Sequence, residues 1–284
     1  MNKTLSVATI LTLVGCGNTS GLLPKNDASM VTENEVLCLE TRRSPDEAAG
    51  AALVLAPLVK AGAGIVIDKV AGAIETESKL YKATYTARLP EKLFSIGPEN
   101  KIGLKFDEIT LSRFAGDPKV TSCASAAGAK PAMRFTVQLS ADPVEGNFRL
   151  TPKEFEYRQS RAKVAAWDKK LDVNVQFQMV ALAADKEGKK SSVEVAKVDF
   201  PLGRVPIGTE HKAGPEQLRP LASGWYPLPT FTKPTSGLFG AVTLTLTVME
   251  SDNLGDVLAK GAKSIRDDKD KLIEKLLEKL ELKE

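Results

Sequence analysis

Apolar and polar residues alternate along several stretches of the chain, and this alternation predicts β-strands. The clearest stretch is Leu171 to Met179, where every second residue is apolar and the residues between are polar. Strand-like stretches also occupy residues 80–89, 101–114, 133–139, 193–198 and 241–249. A strand of this kind buries one face and leaves the other in water. Because no helical pattern separates these strands, the sequence favours an antiparallel β-sandwich over a parallel sheet.

A helical pattern precedes the first long strand. Residues 44–47 contain a capping serine, a proline suited to the first helical position and a glutamate three residues after the cap. The apolar, alanine-rich segment from Ala48 to Ile74 follows, kinked at Pro57 and divided by Gly62 and Gly64. We expect a helical hairpin buried against the domain. A membrane-inserting or helix-docking segment is the alternative.

The chain ends in a second helical pattern, from about Asp267 to Lys283. Its apolar residues form a narrow stripe: Leu272, Ile273, Leu276, Leu277 and Leu280. Such a stripe packs on the helix's own domain or on another chain. The predicted fold class is therefore α+β: mainly an antiparallel β-sandwich with an N-terminal apolar helical hairpin and a C-terminal amphipathic helix. We expect one domain over 34–284, divided into helical segment 34–79, sandwich 80–250 and C-terminal helix 251–284.

The segment between the last two strands is rich in proline and is expected to be irregular. It runs from Pro201 to Gly240 and contains four aromatic residues: Trp225, Tyr226, Phe231 and Phe239. Long loops without secondary structure are usually functional or disordered. These aromatics therefore either cover the end of the sandwich or form a binding surface for a partner protein.

The N-terminal fifteen residues are typical of an export signal. Lys3 is their only charge, and the apolar run from Leu5 to Val14 is too short to span a bilayer. The run ends in Leu13-Val14-Gly15-Cys16, which resembles the lipobox of bacterial lipoproteins. The resemblance covers only this leader and the cysteine. An ordinary secretory leader with a chance cysteine is the alternative.

The resemblance implies that residues 1–15 are removed and that Cys16 becomes an acylated N-terminus, with a thioether diacylglycerol and an N-acyl chain such as palmitate. In that family, an aspartate after the cysteine tends to retain the protein in the inner membrane. Gly17 stands there in this chain, which favours the outer membrane on its periplasmic side. Residues 16–33 then form a tether with a root-mean-square span of roughly 23 Å.

Cysteine content agrees with export. The chain has three cysteines, and acylation of Cys16 leaves Cys38 and Cys123. An even number of cysteines in an oxidising compartment predicts a disulfide between them. Two free, buried thiols are the alternative, because the spacing does not suit a metal site.

Composition and motifs restrict the function. A net charge of +3 gives no strong basic field for nucleic acid or anionic lipid. His211 is the only histidine and lies in a polar stretch expected to be a solvated loop. Zinc spacings, phosphate-binding loops and nucleophile elbows are missing from the sequence, so neither a cofactor nor a metal site is expected.

These observations favour a non-enzymatic lipoprotein that binds protein partners in the envelope, as part of a surface assembly or secretion machine. An immunity-type lipoprotein that blocks a toxin in the periplasm is the alternative, and a cell-wall hydrolase is a third class. The sequence names neither the partner nor the oligomeric state.

Overall fold

The computed structural model describes residues 35–42, 48–50, 66–96, 102–142, 144–165, 167–184, 190–207, 209–228 and 241–267. Within these ranges the chain is mainly antiparallel β-sheet, as the alternating pattern predicts. Its strands are β1 (Val36–Arg42), β2 (Ala48–Gly50), β3 (Lys82–Lys92), β4 (Phe94–Ile96), β5 (Ile102–Leu104), β6 (Glu108–Phe114), β7 (Met133–Asp142), β8 (Asn147–Tyr157), β9 (Lys170–Ala184), β10 (Lys190–Pro206), β11 (His211–Ala213), β12 (Tyr226–Pro227) and β13 (Ala241–Ser251). The helices are α1 (Val66–Leu80), α2 (Pro215–Leu218) and α3 (Asn253–Asp267).

Two sheets form the sandwich. Sheet one has the order β11-β8-β7-β6-β1-β2, with β12 also paired to β8. Sheet two has the order β10-β9-β13-β3. Strand β8 is 11 residues long and therefore extends roughly 33 Å. We call the end of the sandwich near Tyr157 the base end, and the end near Asn147 the far end.

The core lies between the two sheets and consists of the alternating apolar residues. In β9 the inward side chains of Leu171, Val173, Val175, Phe177 and Met179 are all buried. The inward residues of β7 and β13 are buried as well: Met133, Phe135, Val137, Leu139, Val242, Leu244, Leu246 and Val248. Contacts such as that between Phe135 of sheet one and Phe200 of sheet two join these faces into one core. Hydrophobic burial on this scale is the main force that holds the sheets together.

The proline-rich segment differs from its prediction, because it begins inside a strand. Strand β10 continues to Pro206, with a bulge between Pro201 and Gly203. A proline is tolerated there because β10 is an edge strand. Farther along, β11, α2 and β12 follow the edge of β8. The described residues of the segment, 201–207 and 209–228, therefore line one side of the sandwich instead of forming a single irregular loop.

A helix follows the last strand, as expected for segment 251–284. Helix α3 runs from Asn253 to Asp267 and starts directly after β13. The Asp252 carboxylate caps it by accepting the Leu254 backbone N–H at 2.7 Å. The leucine stripe of residues 272–280 lies outside the described residues.

The N-terminal helical segment also differs where it is described. Residues 48–50, expected to open the helical hairpin, form β2 and pair with β1. Helix α1 covers the last part of the expected hairpin, and residues 51–65 lie outside the described residues. Strand β1 pairs with β6 along its whole length, and only its last three residues, Glu40 to Arg42, also pair with β2.

Helices α1 and α3 pack against each other at the base end of the sandwich. Gly255 of α3 lies so close to α1 that an added Cβ would be 2.9 Å from Cβ of Tyr81 and 3.0 Å from the carbonyl oxygen of Ser78. Lys82 pairs with Asp256 at 2.6 Å. The close approach requires glycine, since any side chain would force the two helices apart.

Candidate functional site

Trp225 lies at the far end of the sandwich and remains accessible to solvent. It precedes β12, which pairs with the start of β8. The tryptophan side chain is 51% exposed, and the Arg149 guanidinium lies 5.0 Å from its ring centre. A cation over an indole ring is favourable. Arg149 therefore orients the Trp225 ring without burying it.

Tyr226, the next residue, has a different environment. Its ring centre is 5.7 Å from that of Phe148, and its hydroxyl donates a hydrogen bond of 2.7 Å to the Lys197 carbonyl. Because Phe148 belongs to sheet one and Lys197 to sheet two, Tyr226 connects the two sheets. Burial raises the pKa of Tyr226, so its hydroxyl keeps the donated proton at neutral pH. Of the four aromatics expected to form a surface, these two are adjacent; Phe231 and Phe239 lie outside the described residues.

Exposed apolar side chains are concentrated at the two ends of the sandwich. At the far end, Val144 of the turn between β7 and β8 is 88% exposed and Val193 of β10 is 47% exposed, in addition to Trp225. At the base end, Trp167 and Val257 are exposed. Each end therefore offers apolar groups for a contact outside the domain.

A buried carboxylate organises the base end. Glu250, near the end of β13, is 1% exposed. One of its oxygens accepts the Tyr85 hydroxyl at 2.9 Å. The other accepts the backbone N–H groups of Arg161 and Ala162 at 2.7 and 2.8 Å. Glu250 thereby fixes the irregular segment 158–165, called the base segment below, against sheet two.

A buried arginine faces the same cluster. Arg113 of β6 has a fully buried side chain, and its guanidinium donates to the Glu35 carboxylate at 3.0 Å and to the Gln159 carbonyl. Burial alone would lower the pKa of Arg113. Its neighbours, Tyr85 and Glu250 first among them, raise that pKa above its usual value. The guanidinium therefore stays charged and balances the carboxylates.

The two tyrosines of the cluster remain protonated. Burial raises the pKa of Tyr85 and of Tyr157 well above the usual value, and the charge of Glu250 raises both further. A phenol held in this state does not act as a base at neutral pH, and the Tyr85 hydroxyl donates its hydrogen bond to Glu250. With Glu250 already accepting three hydrogen bonds, the arrangement is suited to holding strands and the base segment together.

A second group of charges fixes the base segment to the helices. Lys163 is 3% exposed, pairs with Glu77 of α1 and lies 5.6 Å from the centre of the Tyr81 ring. Asp252 accepts the Ala165 backbone N–H at 3.0 Å. Burial and the charges of Glu77 and Asp252 raise the pKa of Tyr81 to about 12.

Cys38 and Cys123 form a disulfide, as the sequence predicts. Cys38 lies within β1 and is buried beside Val36 and Phe114. Cys123 belongs to the long connection between β6 and β7, so the bond attaches this connection to the face of sheet one.

His211 is not in a solvated loop, contrary to expectation. It belongs to β11 and pairs with Tyr157, and its ring lies 6.0 Å from that of Phe155. Among the described residues, no three metal-binding side chains come together. In the same part of the chain, no helix is long and apolar enough to cross a membrane.

Sequence reasoning missed Arg149 and the cluster around Glu250. Arg149 has no local signal, because its neighbour Trp225 is distant in the chain. Tyr85 and Glu250 are 165 residues apart, and only the pairing of β3 with β13 brings them together.

The sequence was compared with known protein families and with curated proteins. No protein-family model matches it, and no curated protein does.

Proposed function

We propose that this protein is a non-enzymatic lipoprotein, anchored to the outer membrane through Cys16, which binds a protein partner in the envelope with the far end of its sandwich. The observation that carries the proposal is that Trp225 is exposed while Arg149 and Tyr226 hold its segment in place. Tryptophan is enriched among the residues that dominate protein interfaces. Arg149 and Tyr226 limit the freedom of this segment, which reduces the entropy lost on binding.

The buried cluster at the base end supports a binding role over a catalytic one. Its carboxylate is enclosed by hydrogen-bond donors, and its phenols hold their protons. None of these groups is placed to exchange a proton with a substrate.

Replacing Trp225 tests the binding surface. We expect Trp225→Ala to weaken partner capture by about 2 kcal/mol, roughly thirtyfold in Kd, and to leave the thermal midpoint nearly unchanged. The partner is first identified by pull-down from native envelopes with the lipidated protein, and its affinity for each variant is then measured by calorimetry.

Two further variants are matched controls for this experiment. Trp167→Ala removes an exposed tryptophan at the base end and should leave the affinity unchanged. Tyr226→Ala should lower the thermal midpoint, because its contacts join the two sheets. Wild-type affinity in a stable Trp225→Ala protein would contradict the proposed surface.

Replacing Cys16 tests the anchor. The motif Leu13 to Cys16 predicts that a fatty-acid analogue labels the wild-type protein and that Cys16→Ser abolishes the label. The label is measured after metabolic incorporation in a bacterial host that processes lipoproteins. Equal labelling of the two proteins would refute acylation at this residue.

A further inference from the structure

The point at which the N-terminal segment joins the sandwich is fixed by two arginines. The Glu35 carboxylate accepts a hydrogen bond from Arg113 at 3.0 Å and lies 3.5 Å from the Arg161 guanidinium. Arg113 is at the end of β6, and Arg161 belongs to the base segment. Residue 35, where the first described range begins, therefore lies at the base end.

The length of the preceding segment limits how far the base end can lie from an anchor at Cys16. Eighteen residues lie between Cys16 and Glu35, and a random coil of that length spans about 24 Å. The far end lies roughly 33 Å beyond the base end, judged from the length of β8. An anchor at Cys16 therefore keeps the base end closer to the membrane, on average, than the far end.

This base end carries exposed apolar side chains. Trp167 is 74% exposed, Val257 of α3 is 63% exposed, and Leu80 at the end of α1 is 41% exposed. The base segment connects two of them: the Lys163 N–H donates to the Leu80 carbonyl at 2.7 Å, and Trp167 follows two residues after Ala165. Three large apolar groups thus lie at the end of the sandwich that contains Glu35.

Two ion pairs lie beside these side chains. Lys82 pairs with Asp256 at 2.6 Å, and Arg204 pairs with Asp168, the neighbour of Trp167, at 2.6 Å. Lys169 and Lys170, which follow Asp168, are exposed cations. A surface that mixes apolar and charged side chains suits the headgroup region of a phospholipid bilayer, where tryptophan is enriched because its ring is apolar and its N–H is polar.

We propose that the base end, through Trp167, Val257 and Leu80, is a membrane-contacting surface that rests on the phospholipid headgroups of the bilayer. This proposal rests on the proposed anchoring of the N-terminal segment. It assigns the two exposed ends different partners, with lipid at Trp167 and protein at Trp225. The contact holds the sandwich upright and directs Trp225 away from the membrane.

The two tryptophans allow each end to be observed separately, because the chain contains no others. Trp225→Phe leaves Trp167 as the only indole, and Trp167→Phe leaves Trp225. The mature chain, residues 16–284 with Cys16→Ser, is held through an N-terminal histidine tag on phosphatidylcholine vesicles that contain a nickel-chelating lipid. Phosphatidylcholine brominated near the glycerol end of its acyl chains then quenches any indole that reaches the boundary between headgroups and acyl chains.

We expect brominated lipid to remove roughly half of the Trp167 emission and to leave the Trp225 emission nearly unchanged. Adding Val257→Asp should restore Trp167 emission, because a carboxylate resists transfer into the headgroup region. Val144→Asp is the matched control, since Val144 is exposed at the far end. That variant should leave the quenching of Trp167 as it was.

Several results would overturn the proposal. Trp167 emission that brominated lipid does not change would show that the base end does not touch the bilayer. Equal quenching of both tryptophans would show that the sandwich has no fixed orientation. Shielding of Trp167 from iodide in solution, without vesicles, would show that a second copy of the chain covers this surface. The histidine tag holds the protein on the vesicles in place of the acyl chains. A negative result would therefore contradict the membrane-contacting surface but not the lipid anchor, which the labelling of Cys16 tests separately.

Discussion

Replacing Glu250 by alanine is expected to destabilise the protein by about 3–5 kcal/mol. The variant leaves the Tyr85 hydroxyl and two backbone N–H groups of the base segment without an acceptor, and it removes one of the carboxylates that balance the buried charge of Arg113. Removing one member of a buried charge network is far more costly than removing a surface charge. Urea unfolding followed by circular dichroism measures the difference in the free energy of unfolding.

Two variants separate this effect from the mere loss of a charged residue. Glu194→Ala removes an exposed strand carboxylate that accepts a hydrogen bond from Gln178, and its effect should stay within about 0.5 kcal/mol. Glu250→Gln keeps one acceptor oxygen and should lie between the two alanine variants. If the urea concentration at the midpoint of unfolding is the same for Glu250→Ala and the wild type, the cluster does not stabilise the base end.

The loss of the disulfide is expected to have a similarly large effect. Cys38 and Cys123 are separated by 85 residues, and in the chain-entropy treatment a loop of this size stabilises the folded state by about 4.5 kcal/mol. The double variant Cys38→Ala, Cys123→Ala therefore should unfold at a much lower urea concentration than the oxidised wild type. Equilibrium unfolding without reductant makes the comparison.

Hydrogen exchange tests the local part of the same prediction. The connection between β6 and β7 should lose protection before the strands do, because the disulfide attaches it to β1. The strands of sheet two belong to a different hydrophobic cluster from Cys123 and should keep their relative protection. A double variant within 1 kcal/mol of the wild type would show that hydrophobic contacts around Val120 and Phe114 hold the connection by themselves.

The sheets could be predicted from the sequence because their signal is local. In β9 and β13 the side chains alternate between core and solvent, so the period of two is visible along each strand. The disulfide was predictable for a different reason, since only two cysteines remain once Cys16 is set aside. Both inferences need few residues and no knowledge of strand order.

The base end could not be predicted, because its contacts join distant parts of the chain. The hydrogen bond between Tyr85 and Glu250 depends on the pairing of β3 with β13, and that of Ala165 with Asp252 depends on the position of the base segment. The extent of β10 was missed for a local reason. Pro201 indicates a strand end, whereas a bulge and an edge position allow the strand to continue.

The position of β13 sets the order in which the molecule can fold. This strand lies between β9 and β3, and its pairing with β3 brings Glu250 to Tyr85, which precedes it by 165 positions in the chain. Closing such long loops is slow, because the chain loses entropy before the contacts form. Sheet two therefore stays open until residues 241–251 have been synthesised.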